Sequence, residues 1–221
     1  MKPIRSGWKT WPFVIIIRYW IIQGMMFMNN IERMHRLFLE FLCFIPIFLM
    51  MKNLDFQHAV LIALVLAHSA SFLFNGHVFA MMTHDLFWFS PYKDKKKFLR
   101  YLDDMYQRMN ALQPDYLEGV VFFGSLARGV FRETSDLDVR FISKPGLWNG
   151  FKASHLVFQE RFRALLAGFP IDTYMFACES EVREKMDVVN EHPISLYASN
   201  GNLKNILPET QSFQKFKEII I

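Results

Sequence analysis

The chain contains few cysteines, since Cys43 and Cys178 are the two among its 221 residues. Cys43 lies in an apolar stretch and Cys178 follows a predicted strand. This placement gives neither a disulfide framework nor the ligand spacing of a zinc site. We therefore expect a protein of a reducing compartment. Internal repeats and low-complexity segments are also lacking, which excludes repeat architectures.

Two further sequence patterns are missing. The Trp-rich start, interrupted by Arg18, lacks the small-residue cleavage site of a signal peptide, so we expect none. The formal charge is +4, but the cations between Lys93 and Lys97 are not interleaved with aromatic residues. Nucleic acid is therefore not expected as a partner. Cations that flank apolar stretches are better explained by anionic lipid.

Apolar residues are abundant and unevenly distributed. They make up 52% of the chain, with 24 Phe and 13 Met, and the mean hydropathy of +0.12 is high for a soluble enzyme. The excess lies in residues 1–90, whereas residues 91–221 resemble an ordinary soluble domain in composition. We therefore predict a hydrophobic helical membrane region over 1–90 and a separate soluble domain over 91–221.

Three apolar stretches, Trp11–Met28, Leu37–Met51 and Ala59–Phe89, occupy the first region. A helix needs about 20 mostly apolar residues to span a bilayer, so the third is long enough and the second needs tilt. Cations precede the second stretch and follow the third, at Lys2, Arg5, Lys9, Arg18, Arg33 and Arg36 and at Lys93, Lys95, Lys96, Lys97 and Arg100. The positive-inside rule then favours a helical hairpin with both ends cytoplasmic, and the first stretch lying in the interface.

Two questions about this region stay open at the sequence level. The apolar residues either contact lipid or form a helical dimer or a docking surface for another protein. His68, His77 and His84 lie in the third stretch, where ionisable groups usually face a protein interior or an aqueous cavity. They serve either interhelical hydrogen bonding or a headgroup or acceptor site.

The segment GVVFFGSLARGVFRETSDLDVRFI, from Gly119 to Ile142, is the most informative for chemistry. Asp136 and Asp138 lie two apart on a predicted strand, so their side chains share a face. Two converging carboxylates suit Mg²⁺, which is usually held by carboxylates and substrate phosphates. The turn at Gly124-Ser125 offers backbone N–H groups and a hydroxyl that can hold polyphosphate oxygens.

The soluble region has alternating elements at the sequence level. We predict helices over 93–112, 151–166 and 179–189, strands over 119–123, 136–142 and 171–176, and a short strand or extended segment over 192–197.

The segment from Gly119 to Ile142 resembles the signature of the DNA polymerase β-like nucleotidyltransferase superfamily, in its minimal form. The family pattern is a strand, Gly-Ser, about a dozen residues, Asp-x-Asp, and a third carboxylate on a later strand. Gly124, Ser125, Asp136 and Asp138 match, and Asp172 in FPIDTYMF occupies the place of the third acid. The resemblance, over about residues 93–207, implies an α/β (α+β) fold with a small mixed sheet flanked by helices. It also implies an NTP substrate and two Mg²⁺ ions, with Mn²⁺ as an alternative, held by the three aspartates.

The roles of neighbouring side chains allow two interpretations each. Arg140 continues the face of Asp138, so it either meets a phosphate or pairs with an acid. Arg128 either contacts the triphosphate or is a solvated turn residue. Tyr174 either lines the pocket or is a core aromatic. The aspartates themselves have an ordinary alternative as solvated strand-edge residues, which explains paired acids in a buried strand poorly.

Together these features predict a membrane-associated nucleotidyltransferase with its catalytic domain on the cytoplasmic side. The resemblance implies transfer of a nucleoside monophosphate from an NTP to an acceptor hydroxyl, with release of pyrophosphate. Membrane location favours a glycolipid, a lipid-linked sugar or a lipid headgroup as the acceptor. The alternatives are a protein-modifying, AMPylation-type transferase and a non-catalytic membrane scaffold or nucleotide sensor. Residues 1–90 also allow a homo-oligomer or a membrane protein partner.

Overall fold

The computed structural model describes residues 11–75, 81, 95–130, 137–168, 171–186, 193–199 and 203–220. The helices are α1 Pro12–Ile22, α2 Asn30–Asn53, α3 Ala59–Phe74, α4 Lys95–Leu112, α5 Leu147–Leu166, α6 Glu179–Lys185, α7 Leu203–Ile206 and α8 Phe213–Ile220. The strands are β1 Leu117–Phe123, β2 Leu137–Ser143, β3 Ile171–Phe176, β4 Ile194–Ala198 and β5 Gln211–Ser212.

The strands form one mixed five-stranded sheet in the order β3-β2-β1-β4-β5. β1 pairs antiparallel with both β2 and β4, whereas β2 pairs with β3 and β4 with β5 in parallel. The parallel β2–β3 pair is joined by α5, as parallel strands require a crossover connection. A mixed sheet flanked by helices, with a helical region before it, confirms the predicted fold class.

One face of the sheet packs against helices. The apolar residues of α4 recur at helical spacing, and Phe98, Leu102, Met105 and Met109 are fully buried. They join inward-facing residues of the strands and of α5 in the main core, among them Val120, Phe122, Val139, Phe141 and Val157.

The other face of the sheet is covered at one end by α6 and α7. Val182 and Leu203 from these helices pack on Val121, Ile142 and Phe176. Ile142 and Phe176 are near the carboxyl ends of β2 and β3. The amino ends of the same two strands therefore carry the side chains that α6 and α7 do not cover.

The helices α2 and α3 pack together as a hairpin whose turn lies at residues 54–58. Its outer surface is apolar: exposed side chains include Phe41, Leu42, Ile45, Leu49, Met50, Val60, Leu61, Leu64 and Val65. By length and composition, α2 is a candidate membrane span. Of its apolar 18-residue segment, 11% is buried in the protein. The core helix of a soluble protein meets the same two criteria, so this feature is equally consistent with a soluble protein.

Polar contacts join the three N-terminal helices. His68 of α3 bonds to the Glu40 carboxylate of α2 at 2.8 Å and to the Trp20 carbonyl of α1 at 2.9 Å. The Trp20 indole donates to Ser69 Oγ at 3.0 Å. His68 thus makes interhelical hydrogen bonds, one of the two roles considered for it. His77 and His84 lie outside the described residues.

The helices and strands predicted between residues 93 and 197 agree with the observed ones within a few residues. The helix predicted over 179–189 ends at Lys185. Within the third apolar stretch, the helix α3 ends at Phe74 with Asn75 as its C-cap, and the rest of the stretch to Phe89 lies outside the described residues except for Met81. The predicted domain boundary at residue 90 falls outside the described residues and stays a prediction.

Candidate active site

Two aspartates lie side by side on the sheet face that α6 and α7 leave uncovered. Asp138 of β2 is directly opposite Asp172 of β3 in the parallel register. Because side chains alternate along a strand, Arg140 and Tyr174, also opposite each other, continue the same face. The sequence places Asp172 in an apolar run but does not show which residue it faces. The register of β2 and β3 places it opposite Asp138.

Arg140 lies between the two carboxylates. Its Nη2 is 2.9 Å from Asp172 Oδ2 and 3.6 Å from Asp138 Oδ1, and its Nη1 donates to the Asp172 carbonyl at 2.8 Å. Burial alone would lower the pKa of Arg140, but the Asp172 and Asp138 carboxylates outweigh it and the pKa is raised. Of the two roles considered for Arg140, the structure shows pairing with acids.

Aromatic rings enclose this guanidinium. Its Cζ is 4.9 Å from the Phe123 ring centroid and 5.0 Å from that of Tyr174, within the range of cation–π contact. Burial raises the pKa of the Tyr174 phenol, and the nearby Asp172 carboxylate raises it further. Tyr174 is thus both buried and next to the carboxylates, which combines the two roles considered for it.

The Gly124-Ser125 turn follows β1 and closely approaches Asp138. Gly124 has φ +89°, and a Cβ on it would lie 2.4 Å from Asp138 Oδ2. Residues 125–129 form consecutive turns, closed by the Val130 N–H donating to the Ser125 carbonyl at 2.9 Å. Buried Leu126 anchors the turn to the core, while Arg128 is on its exposed side. Glycine is needed here because the backbone lies against a carboxylate.

The remaining acids near the site are engaged elsewhere or are not described. Glu181 accepts the Ala177 N–H at 2.8 Å and Glu179 accepts Arg183 Nε at 2.8 Å, so neither competes with Asp172. Asp136 lies outside the described residues, and its place on the shared face stays a prediction. Within the described residues, no group of three or more His, Cys, Asp or Glu side chains is arranged to hold a metal ion.

The donors that are described fit a hard divalent cation. Asp138 and Asp172 are partly exposed, with 23% and 18% of their side chains accessible, and both offer carboxylate oxygens. The Arg140 cation already neutralises part of their charge in this arrangement. A third carboxylate from residue 136 would complete a donor set of the kind that Mg²⁺ prefers.

Sequence reasoning missed Phe27. Its ring centroid is 6.2 Å from that of Tyr174, and its side chain is 66% exposed. The neighbouring Met26 is 72% exposed. Both residues are in the first apolar stretch, where periodicity does not distinguish them from other apolar residues. The loop between α1 and α2 therefore brings an exposed apolar surface next to Tyr174.

Replacement of Gly124 by Ala tests the close approach. We expect G124A to displace the Asp138 carboxylate, and its left-handed backbone to cost about 1–3 kcal/mol of stability. We expect the activity of the site to fall at least about tenfold beyond any loss of folded protein. G129A is the matched control, because Gly129 has φ +73° but nothing within 4 Å of a Cβ. Equal activity of the two variants, at equal folded fractions, would contradict the role of this turn.

Comparison with known protein families gives a match to part of the chain. Residues 96–195 match the family model of the nucleotidyltransferase domain. No curated protein and no solved structure matches the chain. The matched segment runs from α4 into β4 and includes Gly124, Ser125, Asp136, Asp138 and Asp172.

Proposed function

Because residues 96–195 form a nucleotidyltransferase domain, we propose that the protein is a membrane-associated enzyme that transfers a nucleoside monophosphate from an NTP to an acceptor. The acceptor is a hydroxyl of a glycolipid, a lipid-linked sugar or a lipid headgroup, and pyrophosphate is released. The observation that carries the catalytic part is the register of Asp138 opposite Asp172, next to the Gly124 turn.

The site residues have distinct roles in this proposal. Asp136, Asp138 and Asp172 would hold two Mg²⁺ ions, or Mn²⁺, which supply Lewis-acid polarisation and charge neutralisation at the phosphates. The backbone at Gly124 and the Ser125 hydroxyl bind the β and γ phosphates, with Arg128 at the exposed side of the turn. Arg140 orients Asp172, to whose side chain and carbonyl it donates.

The transfer step follows from this arrangement. The acceptor oxygen forms a bond to the α-phosphorus in line, and the bond from that phosphorus to the β-phosphate oxygen breaks. Pyrophosphate leaves with the electron pair. Asp172 takes the hydroxyl proton on Oδ1, since its Oδ2 accepts the hydrogen bond from Arg140.

Exposure of the N-terminal helices supports the membrane part. The candidate span α2 and the shorter apolar helices α1 and α3 leave large apolar side chains on their outer surfaces. A surface of this kind marks a membrane or protein interaction site. The cations that flank the apolar stretches favour a cytoplasmic catalytic domain, where NTPs are available.

The loop at Met26 and Phe27 supports an apolar or membrane-bound acceptor. Phe27 contacts Tyr174, which is the second residue after Asp172 on the same face. An acceptor held in the same bilayer would reach the site at high effective concentration. The exposed Phe27 and Met26 offer its apolar part a surface beside the transferring group.

Fractionation of transferred label tests the proposal. Purified protein is incubated with native membranes, Mg²⁺ and each NTP labelled at the α-phosphate, beside an Asp136→Asn/Asp138→Asn control. We expect label in the lipid fraction that requires the intact aspartates. Aspartate-dependent label in protein would instead support an AMPylation-type transferase. Label in no fraction with any of the four bases would support a scaffold or sensor.

A further inference from the structure

Strand β3, which carries Asp172, is at the edge of the sheet and pairs with β2 on one side. The backbone groups on its other side need hydrogen-bond partners when they are buried. Side chains from outside the sheet supply them. Glu32 accepts the Met175 N–H at 2.9 Å, Asn29 donates to the Met175 carbonyl at 2.7 Å, and Arg161 Nε donates to the Thr173 carbonyl at 3.1 Å.

These side chains also bind each other. Arg161 Nη2 is 2.7 Å from Glu32 Oε1, and the two residues are 4% and 2% exposed. Glu32 therefore uses one carboxylate oxygen for Arg161 and the other for the strand. Asn29 caps α2 by accepting the Glu32 N–H at 2.9 Å, which fixes the position of the carboxylate. A buried ion pair whose hydrogen bonds are satisfied in this way defines one geometry.

The strand backbone around Asp172 is thus held from both sides. Arg140 donates to the Asp172 carbonyl from the β2 side, and Arg161 donates to the next carbonyl, that of Thr173, from the edge side. Since Asp172 faces Asp138 only in this register, a shift of β3 would separate the two carboxylates.

We infer that Asn29, Glu32 and Arg161 are positioning residues that hold strand β3 and, through it, Asp172. Residues 29–32 lie outside the matched segment 96–195 and begin α2, the helix that continues into the exposed apolar hairpin. The N-terminal helical region is therefore part of the catalytic unit. The inference rests on the proposed nucleotidyl transfer and adds a dependence that the nucleotidyltransferase domain alone does not contain.

The test uses the full chain with Glu32→Gln, which keeps the size of the side chain but removes its charge. We expect kcat for transfer to fall roughly 10- to 100-fold, because small displacements of catalytic groups have effects of this size. We expect KM for the NTP to stay within about threefold, since the phosphate-binding turn is on β1. Amide hydrogen exchange at residues 172–175 should become faster. All rates are measured below the unfolding midpoint of each variant.

Two further variants keep the test informative. D103N breaks the 2.7 Å pair between Asp103 and Lys217, which joins α4 to α8, and should leave kcat unchanged. E32Q/R161Q removes both buried charges. It replaces E32Q in the test if E32Q does not fold because Arg161 is left without its counter-charge. If folded E32Q or E32Q/R161Q shows faster amide exchange at residues 172–175 but keeps the wild-type kcat, the inference is wrong. Glu32 and Arg161 would then stabilise the strand without affecting catalysis. Failure of the proposed function would appear differently, as no aspartate-dependent label with the unaltered chain.

Discussion

Asp138→Asn is expected to reduce nucleotidyl transfer by about 10³-fold or more. Asparagine keeps the size of the side chain and one oxygen but loses the charge that faces Asp172 and the Gly124 turn. Charge stabilisation at a metal-assisted phosphoryl centre amounts to several kcal/mol, and each 1.36 kcal/mol is roughly a tenfold rate. The measurement is the initial rate of transfer of α-labelled nucleotide over a Mg²⁺ titration.

The fold should tolerate this change. Arg140 is closer to Asp172, at 2.9 Å, than to Asp138, at 3.6 Å, so its nearest counter-charge remains in D138N. Asp172→Asn is a less clean test, because it removes that nearest carboxylate. D103N serves as the matched control, since it makes the same substitution at a partly exposed ion pair of α4. A D138N rate within tenfold of wild type would make Asp138 a structural partner of Arg140 instead of a catalytic residue.

The sequence predicted the positions of the candidate site residues where the signal is local, and the roles of these residues stay predictions. Gly124 and Asp138 follow from a turn after a buried strand and from alternation along the next strand. Asp172 required the family resemblance, because a single acid in an apolar run is ambiguous by itself. Arg140 was left between two roles, since a strand position defines a face but not the partner chosen on it. The structure shows it bound to Asp172.

Contacts between distant segments were not predictable in this way. Glu32 and Arg161 are 129 positions apart, and periodicity carries no information about such a pair. The Asn29-x-x-Glu32 spacing is a recognisable helix start, but it does not reveal that the glutamate also binds β3. The apolar stretch predicted from Leu37 is only part of α2, which starts at Asn30 after the Asn29 cap and contacts α5.

The second large effect is expected from the surface of the α2–α3 hairpin. Leu49, Leu61 and Leu64 are 51%, 63% and 50% exposed, so their replacement by Asp leaves the core intact. In a bilayer, each lost leucine removes about 1.5–3 kcal/mol of apolar burial. Each Asp adds at most about 2.5–3.5 kcal/mol, which is the cost at the centre of a spanning helix. We expect L49D/L61D/L64D to lower the partition into anionic lipid vesicles by at least about 100-fold.

The control triple L112D/L147D/L166D changes three leucines of the matched segment 96–195 that are 55–73% exposed. It adds the same charge and removes the same side chains, so only the position differs. Vesicle co-sedimentation should separate the two triples, with the control bound like wild type. If wild type stays in solution without detergent and forms dimers that the hairpin triple dissociates, the apolar surface covers a second copy instead of lipid. The acceptor would then have to reach Phe27 and Asp172 from solution, which would remove the main reason to expect a lipid.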